Sequence, residues 1–141
     1  MVSLTIPGEP MAKGRPRFGK GYIRTPERTV NYETLVKQLF IISKQEKLEG
    51  MLQVEIDCYF KIPNSTPKYK VLLMMDEKIR PIKKPDIDNV AKICLDGLSG
   101  LAYKDDSQVV SLLINKWYGN DPRVEIRIEE VKPWYPEKQC H

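Results

Sequence analysis

The sequence predicts an α+β fold: a mixed sheet of about four strands packed with about three helices. Three observations predict it. Apolar residues alternate with polar ones near the start, in the middle and at the end of the chain. Segments with helical apolar spacing lie between those stretches. Proline- and glycine-bearing breaks separate most of them.

Val2 to Ile6 alternates and is rich in strand formers, so it reads as a short strand. Residues 7–30 carry many prolines and glycines and read as a loop-rich basic arm, with a short hairpin around Phe18 to Ile23. Asn31 can cap a first helix with Leu35, Val36, Leu39 and Phe40 on one face, ending near Gly50. Met51 to Ile62 alternates through Leu52, Val54, Ile56, Cys58 and Phe60, a long strand with one apolar face. Thr66-Pro67 can open a second helix running to about Lys78. Asp88 or Asn89 can cap a third, to about Leu98, closed by Gly100. Val109 to Tyr118 and Arg123 to Val131 read as strands joined by a turn at Gly119-Asn120-Asp121-Pro122, and so as a hairpin.

The length of 141 residues suits one domain, placed at 1–132, with a loosely held tail at 133–141. No stretch approaches the apolar length of a membrane helix, and the first residues lack a secretory layout; a cytoplasmic protein without a membrane partner is expected. The three cysteines are widely spaced and form no CxxC pair, which argues against a disulfide framework or zinc site. Cys58 and Cys94 fall in apolar patterns and read as small core residues.

Net charge is +4, and its distribution says more than its size. Residues 1–28 hold Lys13, Arg15, Arg17, Lys20, Arg24 and Arg28 against Glu9 and Glu27. A second basic cluster, Lys78, Arg80, Lys83 and Lys84, directly precedes a group of aspartates. Positive charge beside carboxylates suits an enzyme that holds a polyanion and uses a cation for chemistry. Asp86 and Asp88 lie at a helix start, and Asp88, Lys92 and Asp96, spaced by four, share one helix face. Asp105 and Asp106 sit in the turn feeding the next strand. Carboxylates from the two segments can converge if that strand lies beside the helix start. Converging carboxylates suit magnesium, a hard cation that keeps several waters. Asp86, Asp88, Asp106 and Lys92 are the residues that can carry such chemistry.

A plain structural account exists for each of these residues. Asp88 is a good helix cap, and Asp88 with Lys92 can be an ordinary surface ion pair. Asp105-Asp106 can be a polar turn, and Asp96 reads as structural. Phe18 and Tyr22 suit either stacking on an opened base or burial under the arm. The single histidine is the last residue, His141, which leaves no basis for histidine-dependent nuclease, triad or HxxxH chemistry. Neither GxxxxGK[ST] nor GxGxxG occurs, and no small-molecule cofactor is expected.

The compound segment KPDIDNVAKICLDGLSG…YKDDSQV resembles the central motif of the RusA-like family of Holliday-junction resolvases, and IPGEPMAKGRPRF is similar to that family's opening strand and basic arm. The resemblance covers roughly residues 1–130. It implies a RusA-like α+β fold, a homodimer, dependence on Mg²⁺ with Mn²⁺ able to substitute, and paired nicks across a four-way DNA junction in recombination and repair. It implies that Asp86, Asp88 and Asp106 carry the metal-dependent catalysis, that Lys92 is the family's essential lysine, and that Asp105 is an additional acidic position and candidate ligand. A phage or prophage origin is open on the same ground. A C₂ dimer would supply two equivalent sites to a junction with approximate two-fold symmetry. Lys13, Arg15 and Arg17 are the leading candidates for phosphate contacts, with Lys83 and Lys84 beside the aspartates. A broader flap or branched-DNA nuclease and a non-catalytic DNA-binding module are the competing readings. An RNA-binding module lacks the expected aromatic pattern.

Overall fold

A computed structural model describes residues 1–13, 17–19, 22–24 and 27–136, the second and third of these segments by backbone alone. The elements are β1 (Val2–Pro7), β2 (Arg17–Gly19), β3 (Tyr22–Arg24), α1 (Glu27–Ser43), β4 (Met51–Lys61), α2 (Lys68–Met75), α3 (Ile87–Leu98), β5 (Val109–Gly119) and β6 (Arg123–Val131). The architecture is α+β, with a four-stranded mixed sheet in the order β1-β6-β4-β5 and three helices. The expected short hairpin is present as β2 paired antiparallel with β3, Phe18 opposite Ile23.

The expected hairpin of the last two strands does not form. β4 lies between them, parallel to β5 and antiparallel to β6. Its inward residues Leu52, Val54, Ile56, Cys58 and Phe60 are all buried, and a strand with that much apolar surface is sheltered best with a neighbour on each side. The connection from Gly119 to Arg123 must then cross two strand spacings, roughly 9–10 Å. Four Cα steps can reach about 13 Å. The turn residues were legible, but a short turn does not dictate pairing between its flanks.

The helices differ at their ends from expectation. α1 starts at Glu27 rather than after Asn31 and stops at Ser43 rather than near Gly50. Beyond it the side-chain amide of Gln45 takes over the outer edge of β1, accepting from Ser3 N and donating to Ser3 O, both at 2.8 Å. α2 ends three residues short of Lys78, because Glu77 turns into the left-handed region at φ 64° and Lys78 N donates back to Leu73 O at 2.8 Å. The N-cap of α3 is Asp86, not Asp88 or Asn89.

β1, β4 and β6 send Val2, Leu4, Ile6, Val124, Ile126 and Ile128 inward with the β4 residues. α1 and α3 cover that face. They approach closely where Gly97 of α3 meets Val36 of α1; a Cβ at Gly97 would lie 3.1 Å from the valine side chain. Cys58 and Cys94 are buried and unpaired, and burial pushes the Cys58 thiol up to about 12. Among the described residues no helix is long and apolar enough to cross a membrane.

Candidate active site

The first turn of α3 presents the two leading aspartates. Asp86 occupies the N-cap with extended backbone (φ −68°, ψ 147°), yet its side chain makes no capping hydrogen bond. Asp88 follows in the first turn. Both are exposed, and neither carboxylate has a hydrogen-bond or ion-pair partner among the described residues. The capping account of this motif therefore does not use either carboxylate. Lys92, one turn along the same face, is exposed and pairs with neither Asp88 nor Asp96. Behind them Val90, Ala91, Ile93, Cys94 and Leu98 bury the opposite face of the helix, which fixes the polar one outward.

The second acidic segment is a 3-10 turn, Asp106–Gln108, capped by Asp105. The Asp105 carboxylate accepts from Ser107 N at 3.3 Å and from the Ser107 hydroxyl. The Ser107 hydroxyl is the main cause holding its pKa below the ordinary carboxylate value. Gln108 Oε1 accepts from Lys104 N and Asp105 N at 2.9 and 3.0 Å, while its Nε2 donates to Gly50 O at 3.0 Å. The DD-x-Q pattern is thereby a self-capping turn riveted to the start of β4. Both acids are exposed, and the carboxylate of Asp105 is the one committed to capping the turn.

Tyr103 ties this turn to α3. Its ring is fully buried, and its hydroxyl donates to Leu95 O, toward the C-terminal end of the helix. Gly100, at φ 85°, supplies the left-handed residue that lets the chain reverse, and its N–H donates to Tyr103 O at 2.8 Å. Asp86 and Asp88 thus stand at the N-terminal end of α3, whereas the Asp105-Asp106 turn is anchored toward the other end. Among the described residues no three His, Cys, Asp or Glu side chains are grouped closely enough to hold a metal ion. The expected convergence of Asp106 with Asp86 and Asp88 is not formed within the single chain. As a donor set, Asp86 and Asp88 alone still suit magnesium, which commonly takes one or two carboxylates together with waters and substrate phosphate oxygens.

A cleft of about 470 Å³ opens beside Asp86, lined by Pro10, Met11, Arg28, Lys84, Pro85 and Asn89 among others. Arg28, Lys84 and Asp86 share its lining with the apolar Pro10, Met11 and Pro85.

The family model described as Endodeoxyribonuclease RusA matches residues 7–129. The chain belongs to the RusA family. It is also similar to "Uncharacterized protein YqaN" of Bacillus subtilis (strain 168), with 37% identity over 140 residues, covering 92% of this chain and 96% of that one. RusA-family membership supports a resolvase or nuclease role, and the matched span contains both acidic segments and the cleft.

Within this RusA-family chain the basic residues divide into two groups. Lys13, expected to contact phosphate, has its ammonium 2.6 Å from Asp96 and 3.0 Å from Glu33. The Asp96 hydrogen bond is the largest cause raising its pKa. Its backbone N–H also donates to Asn89 O at 3.3 Å. Lys13 therefore pins the arm to α1 and α3, and Asp96 is structural through Lys13 rather than through Lys92. Arg15 and the side chain of Arg17 lie outside the described residues. Lys83 and Lys84 are exposed. The Lys83 ammonium lies 5.5 Å from the Phe60 ring centre, as does that of Lys116, which also donates to Lys83 O at 2.7 Å. Arg80 locks this loop to β5, donating to Lys116 O and Asn115 Oδ1 with its guanidinium 4.0 Å from the Trp117 ring centre. From the sequence Arg28 counts toward the N-terminal basic cluster without being placed at the site, and Lys116 is not singled out. Their proximity to the aspartate segment comes from packing, and no local motif announces it.

Proposed function

We propose that the protein is a Mg²⁺-dependent endonuclease that resolves four-way DNA junctions by paired symmetric nicks, acting as a homodimer in the cytoplasm. The observation that carries this reading is the pair of exposed, unpartnered carboxylates, Asp86 and Asp88, at the start of α3, with Lys92 one turn on and Arg28 and Lys84 around the adjoining cleft. Asp86 and Asp88 would hold the metal, with waters and substrate phosphate oxygens completing its shell. Magnesium bound there supplies a water of lowered pKa and offsets charge on the phosphorane-like transition state. Lys92 adds a fixed positive charge beside the carboxylates, suited to a phosphate oxygen whose charge grows as the bond breaks. Arg28 and Lys84 hold the flanking backbone by charge, and Arg28 can engage a phosphate through two N–H groups. Lys83 extends that positive surface, and Arg15 and Arg17 add their charge to the chain's basic total, so binding falls steeply with salt.

The test is cleavage of an end-labelled four-way junction with and without Mg²⁺, wild type beside Asp86→Asn, with flap and linear duplexes for comparison. Symmetric nicks by wild type with Mg²⁺, and junction binding without cutting by Asp86→Asn, are expected. Tight binding with no cleavage by either protein would reduce the chain to a binding module. Equal cutting of flaps and junctions would broaden the substrate class. Wild-type cutting by Asp86→Asn would remove Asp86 from the metal site.

A further inference from the structure

The loop that carries the chain from α2 into the aspartate segment is held on both sides of one residue. Before it, Arg80 donates to Lys116 O at 2.9 Å and to Asn115 Oδ1 at 2.7 Å and lays its guanidinium over the Trp117 ring, while Pro81 is buried. After it, the Lys116 ammonium donates to Lys83 O at 2.7 Å, and Lys84 lines the cleft beside Asp86. Between these anchors Ile82 is 100% exposed. Single exposed apolar residues are ordinary on a protein surface. Those on the helices, such as Ile42 (73%) and Leu72 (71%), still rest partly on neighbours. Ile82 is covered by nothing among the described residues, on a loop tied down at Arg80 and Lys83. It stands four residues before Asp86. Four Cα steps span at most about 14 Å, which is about four base steps along a duplex strand.

We propose that Ile82 is a wedge that enters between bases at the crossover of a branched DNA and holds the stack open close to the phosphate at Asp86. This deepens the nuclease reading and rests on its substrate being branched DNA. An isoleucine side chain cannot bond a phosphate; it gains only by leaving water against another apolar surface. The flat faces of two bases supply that surface once their step is unstacked. Charge selects DNA over an apolar protein partner, because Lys78, Arg80, Lys83 and Lys84 surround Ile82 in the sequence, and Lys83 and Lys84 are exposed directly after it. Those two ammonium groups can hold phosphates beside the opened step and so fix its register. A crossover is where insertion costs least, since stacking is already interrupted between its arms, whereas in a linear duplex the whole cost of unstacking falls on the protein. The wedge thus favours branched over linear DNA by shape, without reading a base edge. The ties at Arg80 and Lys83 set the loop before DNA arrives, which lowers the ordering cost of binding. Ile82 is a positioning residue and takes no part in the bond cleavage.

A four-way junction carrying 2-aminopurine, in turn at each position flanking the crossover, tests this with the full chain in EDTA. Wild type should raise the fluorescence of at least one position as a base leaves its stack. Ile82→Ser should leave that fluorescence at the value of the free junction and lower junction affinity by about tenfold, with linear-duplex affinity unchanged. Ile82→Leu should restore both signals. The slope of log K against log salt should be the same for Ile82→Ser and wild type, whereas loss of a phosphate contact, as in Lys84→Ala, flattens it by about 0.9. The proposal is overturned if Ile82→Ser raises the fluorescence as wild type does, or if wild type leaves every position unchanged. It is equally overturned if Ile82→Ser alters the sedimentation of the free protein, which would place the residue in a contact between protein chains. A wild type that binds no branched DNA removes the reading on which the wedge rests. Unstacking by wild type without nicking in Mg²⁺ defeats the nuclease reading alone and leaves the wedge standing.

Discussion

Replacing Lys13 by methionine separates two roles that one lysine could play. In the structure its ammonium bridges Asp96 at 2.6 Å and Glu33 at 3.0 Å, with the three side chains only 21–27% exposed. A sheltered charge-assisted hydrogen bond contributes about 1.5–3 kcal/mol, and an exposed ion pair about 0–1 kcal/mol. Two bonds in a partly sheltered site, together with the repulsion left between two unmatched carboxylates, put the loss near 2 kcal/mol. For a domain of this size that lowers Tm by about 6 °C. Urea unfolding of wild type, Lys13→Met, Asp96→Asn and the double variant measures the coupling directly. The folded state raises the Lys13 pKa above its ordinary 10.5, so this contribution is complete below that value and is lost only as pH rises past the raised one. The destabilisation should therefore be constant across neutral pH. A lysine on phosphate behaves differently: its removal flattens the plot of log K against log salt by about 0.9. Unchanged stability, no coupling to Asp96 and a flattened salt slope in Lys13→Met would together refute the clamp.

Three further outcomes follow from the Tyr103–Gln108 segment. Tyr103→Phe removes the buried hydroxyl that reaches Leu95 O and should cost about 1 kcal/mol in urea unfolding. Because burial raises the Tyr103 pKa, the wild-type ring should show no phenolate absorbance in alkali until the protein unfolds. The Asp105 pKa is lowered from 3.8, so its cap is complete above that value and lost as pH falls through the lowered one. The protection of the Ser107 amide from hydrogen exchange, taken against its intrinsic rate at each pH, should fall only in acid for wild type, and already at neutral pH for Asp105→Ala.

The α+β class, the central strand through Leu52–Phe60 and the helix behind Asp88 and Lys92 were legible because period-two and helical spacing are local consequences of burying one face. The DxDN, lysine and DD-x-Q elements were legible for the same reason: each acts over a few consecutive residues, as the Asp105–Gln108 capping turn shows. Pairing is not local. Nothing within Val109–Val131 says that β4 will come between β5 and β6, since the choice depends on which strand has most apolar surface to shelter. Nor does the charge of Lys13 say whether it meets a phosphate or the carboxylates of Glu33 and Asp96, 20 and 83 residues away. The sequence by itself determined which groups are available for chemistry; only the tertiary structure decided which of them are already engaged, because an ion pair or an open strand edge is a relation between segments distant along the chain.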